Sequence, residues 1–299
     1  MFSGSIVALV TPMQADGSVD HEALGRLVEF HVANGTHAIV AVGTTGESPT
    51  LNLEEHIGVV RTVVQRAAKR IPVIAGTGSN CTRDAIETTQ LAKDVGADAC
   101  LMVTPYYNRP TQEGLFQHYK AVAQRVSIPI ILYNVPSRTG CDLKPDTVAA
   151  IRKRNQNVVA IKEASGSMER ARQVAGSSDI ALIAGEDGLI AQFMALGAVG
   201  VIGVVGNVAP REVAELCRAA APGGDPERAA ELEAWLAPLV RDLFIETNPV
   251  PLKAALAALG LCRDEVRLPL APLEERNREQ LIATLSESGL LGSATARAH

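Results

Sequence analysis

The 299-residue sequence predicts a closed (β/α)8 TIM barrel followed by a C-terminal appendage of three helices. Three observations lead there. Eight short apolar runs recur along the chain, and helical patterns separate them. The runs are continuous rather than alternating, as strands of a parallel sheet covered on both faces are. Between residues 5 and 199 they recur about every 28 residues, the size of one βα unit. Eight such units favour a barrel over an open sheet. No GxGxxG follows the first strand, so a dinucleotide-binding fold lacks its main signal.

In order, the strands are read at 5–10 (SIVALV), 37–42 (HAIVAV), 71–75 (IPVIA), 99–103 (ACLMV), 128–133 (IPIILY), 158–162 (VVAIK), 180–184 (IALIA) and 199–204 (VGVIGV). Among the intervening helices, 53–70 carries Ile57, Val60, Val64 and Ala67 at helical spacing. Strands stop after residue 208. Helices are predicted at 209–220, the eighth of the barrel, and at 226–245, 249–259 and 273–288. The APGG stretch at 221–224 divides a barrel domain, 1–221, from a helical region, 222–299. The small, polar tail 292–299 is expected to fray.

Composition removes several function classes. The net charge is −5, whereas phosphate binding wants a basic face. Aromatics are 3% of residues, too few for stacking on single strands. Nucleic acid is therefore not an expected partner. The five cysteines, at 81, 100, 141, 217 and 262, form no CxxC and read as free thiols in a reducing compartment. The start MFSGSIVALVTP has no basic n-region, and no run of about 20 apolar residues exists. These features predict a soluble cytoplasmic protein without a membrane partner.

In a barrel of this class the chemistry gathers at the carboxyl ends of the strands. No histidine falls there, which weakens a metal-dependent hydrolase, and no metal is expected. Glu47, Glu163, Glu186 and Asp187 do fall there, and read as caps or backbone acceptors rather than magnesium ligands. Lys162 stands out. It is one of seven lysines against 21 arginines, and it alone ends an apolar strand; the other six, Lys253 among them, sit in helical or polar contexts. Alternation sets Lys162 with Val158 and Ala160 on one face, opposite Ile161 and Glu163. If that face is the barrel interior, loss of water favours the neutral amine, a nucleophile toward carbonyls. The alternative is a lysine that snorkels to the rim or pairs with a carboxylate. Tyr133, ending the neighbouring strand, is either a proton relay or a hydrogen-bonded core aromatic. Thr44 and Thr45, between Gly43 and Gly46, offer hydroxyls and N–H groups to a carboxylate, or form an ordinary capped turn. Arg138, in a loop past Tyr133, is a carboxylate clamp or a surface arginine.

Six segments in register resemble the pyruvate-dependent class I aldolase superfamily, and within it the dihydrodipicolinate synthase family. They are GTTGESPTL at 43–51, TPYYNRPTQEGL at 104–115, YNVPSRTG at 133–140, IKEASG at 161–166, AGEDG at 184–188 and ETNPVPLKAAL at 246–256. The resemblance implies condensation of pyruvate with aspartate 4-semialdehyde, on the path to lysine and diaminopimelate, without a cofactor. It implies that Lys162 forms an imine with pyruvate, that Tyr133 transfers protons, and that Thr44 links Tyr133 to Tyr107 supplied across a subunit contact. It implies further that Thr45 binds the pyruvate carboxylate, that Arg138 holds the aldehyde's carboxylate, and that the backbone at Gly185 and Ile202 lines the pocket. A homotetramer built from two tight dimers is also implied. N-acetylneuraminate lyases typically lack the Arg138 equivalent and the TPYYN run; keto-sugar-acid aldolases and dehydratases of the superfamily remain an alternative. Ser48, His56, Asn80, Asp84 and Tyr106 match the family's lysine-inhibition site. There Asp84 replaces a common glutamate, Leu53 a frequent histidine and Pro49 a frequent alanine. The shorter Asp84 puts lysine feedback in doubt.

Overall fold

The computed structural model describes residues 2–291, so the tail 292–299 and its expected fraying lie outside the described residues. Eight strands close a barrel: β1 (Gly4–Ala8), β2 (Ala38–Ala41), β3 (Val73–Gly76), β4 (Ala99–Val103), β5 (Ile130–Asn134), β6 (Val158–Glu163), β7 (Ala181–Ala184) and β8 (Gly200–Gly203). Each pairs in parallel with the next, and β1 closes on β8 through Gly4–Gly200 and Ile6–Ile202. Hydrophobic packing forms two layers. Ile6, Val40, Ile74, Leu101, Ile131 and Ile202 belong to the barrel interior. Ile39, Cys100, Ile130, Leu132 and Ile161 face the surrounding helices. Both faces of each strand are thus apolar, which is why the runs are continuous in sequence.

One strand departs from strict alternation. The register between β5 and β6 shifts after Ile130–Val158, so that Ile131 pairs with Ala160. A bulge of this kind leaves one residue unpaired and turns the strand. Val158 therefore packs in the outer layer and Val159 against the inner one, a correction to the expected shared face of Val158, Ala160 and Lys162. Beyond the bulge the alternation holds. Ala160 joins the interior, while Ile161 faces the helices.

Helix ends follow local chemistry. Leu53–Ala67 opens with a capping box between Asn52 and Glu55 and stops where Ala68 turns left-handed, three residues before the expected end. Helix Pro210–Ala219 completes the barrel, and helices Pro226–Asp242, Val250–Ala258 and Glu275–Glu287 form the appendage. Pro226–Asp242 packs on Pro210–Ala219, and Glu275–Glu287 packs on both other appendage helices. Asp242 joins two of them by accepting hydrogen bonds from Gln280 and Thr284. All five cysteines are free, and burial pushes the thiols of Cys100, Cys217 and Cys262 up to about 12. Among the described residues no helix is long and apolar enough to cross a membrane.

Arg267 ties the appendage to the barrel's loops. It donates to the carbonyls of Gly17 (2.9 Å) and Thr50 (2.7 Å) and binds the Glu55 carboxylate through two nitrogens. These hydrogen bonds, opposed by partial desolvation, hold the Glu55 carboxyl down to about 2. A depressed acid stabilises the fold above its unfolded value, and the contribution fades as pH falls through the folded value. Glu55→Gln is expected to lose about 1 kcal/mol at neutral pH, a figure reduced for solvent screening. The deficit shrinks between about pH 4.5 and pH 2, as urea midpoints at successive pH values will show.

Candidate active site

The shifted register brings the two central side chains together. Tyr133 on β5 is the direct partner of Lys162 on β6. The Lys162 Nζ lies 4.4 Å from the centroid of the Tyr133 ring, within cation–π range. Each residue is only 7% exposed. Both open onto a cavity of about 210 Å³ at the carboxyl ends of the strands. Thr44, Thr45, Arg138 and Gly185 line it too. Ile202 does not: it is fully buried in the inner wall and is absent from the cavity lining. Gly185 permits close approach, since a Cβ there would meet Glu163 O at 2.7 Å.

The turn after β2 is tightly made. Gly46 N donates to Gly43 O (3.0 Å), Glu47 N to Thr44 O (3.1 Å), and Thr11 Oγ1 to Gly46 O (2.7 Å). Val42 and Glu47, on either side, both adopt φ of 56°, a conformation unfavourable for a side chain bearing a Cβ. Two appendage residues hold this turn in place. Asn248 Nδ2 donates to Thr45 Oγ1 (3.0 Å), and Lys253 Nζ donates to the Glu47 carboxylate, which also accepts Arg267 N (3.0 Å). Lys253 also reaches the carbonyl of Glu265 (2.7 Å). Lys253 does sit on a helix, as expected, but its side chain is 0% exposed and its helical neighbours are buried and apolar. Burial lowers the Lys253 pKa, and the Glu47 charge opposes that shift.

The four carboxylates take different parts. Glu163 accepts from Ser165 N (2.8 Å) and Asn134 Nδ2 (3.0 Å). Asp187 accepts from Val204 N (2.8 Å) and Val205 N (3.2 Å), fixing the end of β8. Glu47 serves the turn just described. The Glu186 carboxylate has no hydrogen-bond partner among the described residues, and Glu186 lines the cavity. Asn248, Ser137 and Phe244 also line it, and the sequence reading gave them no part. The signal for Asn248 was its place in the segment 246–256.

Arg138 sits on a four-residue helix, Pro136–Thr139, rather than in an open loop. It lines the active-site cavity and a second one of about 510 Å³. Ser48, His56, Asp84 and Tyr106 line the second cavity, and Asn80 donates to the carbonyl of Tyr106 (3.2 Å). His56 Nε2 donates to Gly76 O (2.8 Å); burial lowers its pKa, and that hydrogen bond opposes the shift. Tyr107 lies elsewhere: it is 90% exposed, has φ of 73° and lines neither cavity. Thr44 makes no hydrogen bond to Tyr133 among the described residues, so a Tyr133–Thr44–Tyr107 relay is not assembled within one chain.

A buried lysine and tyrosine meeting at the carboxyl-end cavity of a TIM barrel have the layout of a class I aldolase-type lyase. The chain belongs to the dihydrodipicolinate synthetase family, whose model matches residues 1–288. Relatives named 4-hydroxy-tetrahydrodipicolinate synthase include those of Alcanivorax borkumensis, 56% identical, and Pseudomonas syringae, 54% identical. Each alignment covers 97% of this chain, with 99% and 100% of the respective relative. Among solved structures, dihydrodipicolinate synthase from Aquifex aeolicus superposes with a TM-score of 0.95 at 51% identity, covering 97% of this chain and 99% of that one. The Acinetobacter baumannii enzyme complexed with pyruvate gives 0.94 at 49%, covering 97% and 100%. The Cyanidioschyzon merolae enzyme with lysine bound gives 0.94 at 37%, covering 97% and 99%.

Proposed function

We propose that the protein is a 4-hydroxy-tetrahydrodipicolinate synthase, condensing pyruvate with (S)-aspartate 4-semialdehyde in lysine and diaminopimelate biosynthesis. The observation that carries this is the pairing of Lys162 with Tyr133 in a small cavity that also presents Thr44, Thr45 and Arg138. Lys162 attacks the pyruvate ketone, water leaves, and an imine forms. The imine withdraws electrons, so a methyl proton departs and an enamine results. Tyr133 carries protons to and from that carbon. Thr45 holds the pyruvate carboxylate, and Arg138 holds that of the aldehyde. The enamine carbon adds to the aldehyde; the substrate's amine then displaces Lys162 and closes the ring. No metal or organic cofactor enters these steps. A cavity of about 210 Å³ suits two small acids better than a bulky sugar acid.

Tyr107 belongs in this reading to a neighbouring subunit's site, completing the relay through Thr44 in a homotetramer made of two tight dimers. Its exposure and its absence from its own chain's cavity lining support that role. The second cavity, with Ser48, His56, Asp84, Tyr106 and nearby Asn80, is the lysine-inhibitor site of this reading. Asp84, one methylene shorter than glutamate, holds an ammonium less closely. The cytoplasm is the compartment proposed.

A coupled assay is expected to show turnover of pyruvate only when aspartate semialdehyde is supplied; turnover of sugar-derived keto acids instead would overturn the substrate assignment. Inactive Tyr107→Phe and inactive Lys162→Ala chains, mixed under subunit exchange, should regain activity. With equal amounts mixed at random, about half of the pairs are mixed and each restores one intact site, so about a quarter of all sites regain function. No recovery, or a monomer that is fully active, counts against sharing.

A further inference from the structure

Glu186 is the only acidic side chain among the described residues that line the active-site cavity, and the proposed steps leave it unused. The cavity presents three charged groups: Lys162, Arg138 and Glu186. The proposed aldehyde substrate brings a carboxylate and an ammonium. Arg138 answers the carboxylate and Lys162 is taken by pyruvate, so the ammonium lacks a counterpart unless Glu186 supplies it. We infer that Glu186 binds the α-ammonium of the aldehyde substrate and accepts the proton that must leave it before ring closure.

The local backbone explains its availability. Glu186 follows β7 in extended conformation, φ −117° and ψ 121°, so successive side chains point to opposite sides. Asp187 turns to the amides of Val204 and Val205, and Glu186 is left facing the cavity. Its carboxylate has no hydrogen-bond partner among the described residues. Burial raises its carboxyl above the usual range, with Lys162 and Arg138 opposing and Asp187 and Glu163 reinforcing. A carboxylate in that position is a stronger base toward an ammonium than an exposed one.

The chemistry requires such a base. An ammonium has no lone pair, so it cannot attack the imine carbon. One N–H bond breaks and an O–H bond forms on Glu186. The freed lone pair makes the new C–N bond, while the imine's π electrons pass to the Lys162 nitrogen. A proton then moves from the ring nitrogen to Lys162, the old C–N bond breaks, and Lys162 leaves as an amine. Glu186 returns its proton to solvent.

This assignment rests on the function proposed above, and its test separates the two. Pyruvate methyl exchange in deuterium oxide reports Lys162 and Tyr133 without any aldehyde. Succinate semialdehyde, which lacks the amine, is measured as an inhibitor against aspartate semialdehyde. In Glu186→Gln, the KM for aspartate semialdehyde is expected to rise about 10- to 100-fold, the loss of one charge-assisted hydrogen bond. Methyl exchange and the Ki of succinate semialdehyde stay within about twofold. Glu186→Asp, which keeps the charge, recovers part of the loss. An unchanged KM, an equal weakening of both aldehydes, or slowed methyl exchange overturns the assignment. Wild-type protein that exchanges pyruvate protons but does not consume aspartate semialdehyde overturns the function proposal instead.

Discussion

Lys162→Ala is expected to lower turnover by at least about 10⁴-fold, since the proposed covalent route is removed rather than slowed. No other lysine lines the cavity to take its place. Lys253 is committed to Glu47 in the appendage, and the remaining lysines are only half-buried or exposed. Pyruvate methyl exchange should vanish together with condensation, because both depend on the same proposed imine. The variant should still fold: Ala160 and Ala164 already pack in the inner layer beside the site. Circular dichroism and exchange measurements on one preparation check both halves of the expectation. Retained exchange in a folded Lys162→Ala protein contradicts the role given to this residue.

The largest expected effect on stability is at Lys253. Lys253→Met leaves the Glu47 carboxylate buried without its amine. Breaking a buried pair from one side costs roughly 3–5 kcal/mol. For a chain of this size that lowers the thermal midpoint by about 10 °C. Glu47→Gln in the same background removes the stranded charge while keeping an acceptor for Arg267 N. The double variant should therefore recover much of the loss, giving a large coupling in a double-mutant cycle. The pair also has a functional reach. Glu47 closes the turn that carries Thr44 and Thr45, so the single variant should bind pyruvate more weakly even where it is folded. Urea midpoints and pyruvate KM values for the four proteins test this; additive effects would contradict it.

The barrel was legible because its strands are buried on both sides and their apolar runs are unbroken. Lys162 was legible for the same reason: a cation ending such a run must face either the interior or the rim. Other parts depend on contacts between distant residues. The Lys253–Glu47 bond spans 206 positions and Asn248–Thr45 spans 203, so neither partner marks the other in sequence. A lone charge in the apolar stretch VPLKAALAA was nevertheless a hint of a buried pair. Val158 was misplaced because a bulge between two apolar strands leaves no trace in their composition. Arg138 was expected in a loop, and four residues of helix are too short to show a period. Tyr107 came only from resemblance. Its own chain gives it an exposed place and nothing to act on.

The most direct test of Lys162 as the covalent residue is reduction of the active protein with borohydride in the presence of pyruvate, followed by peptide mass analysis. The expected result is one reduced pyruvyl group per chain, carried by Lys162, with loss of activity in proportion to labelling. An active protein in which Lys162 stays unmodified while activity is lost, or in which the label lies on another lysine, contradicts it.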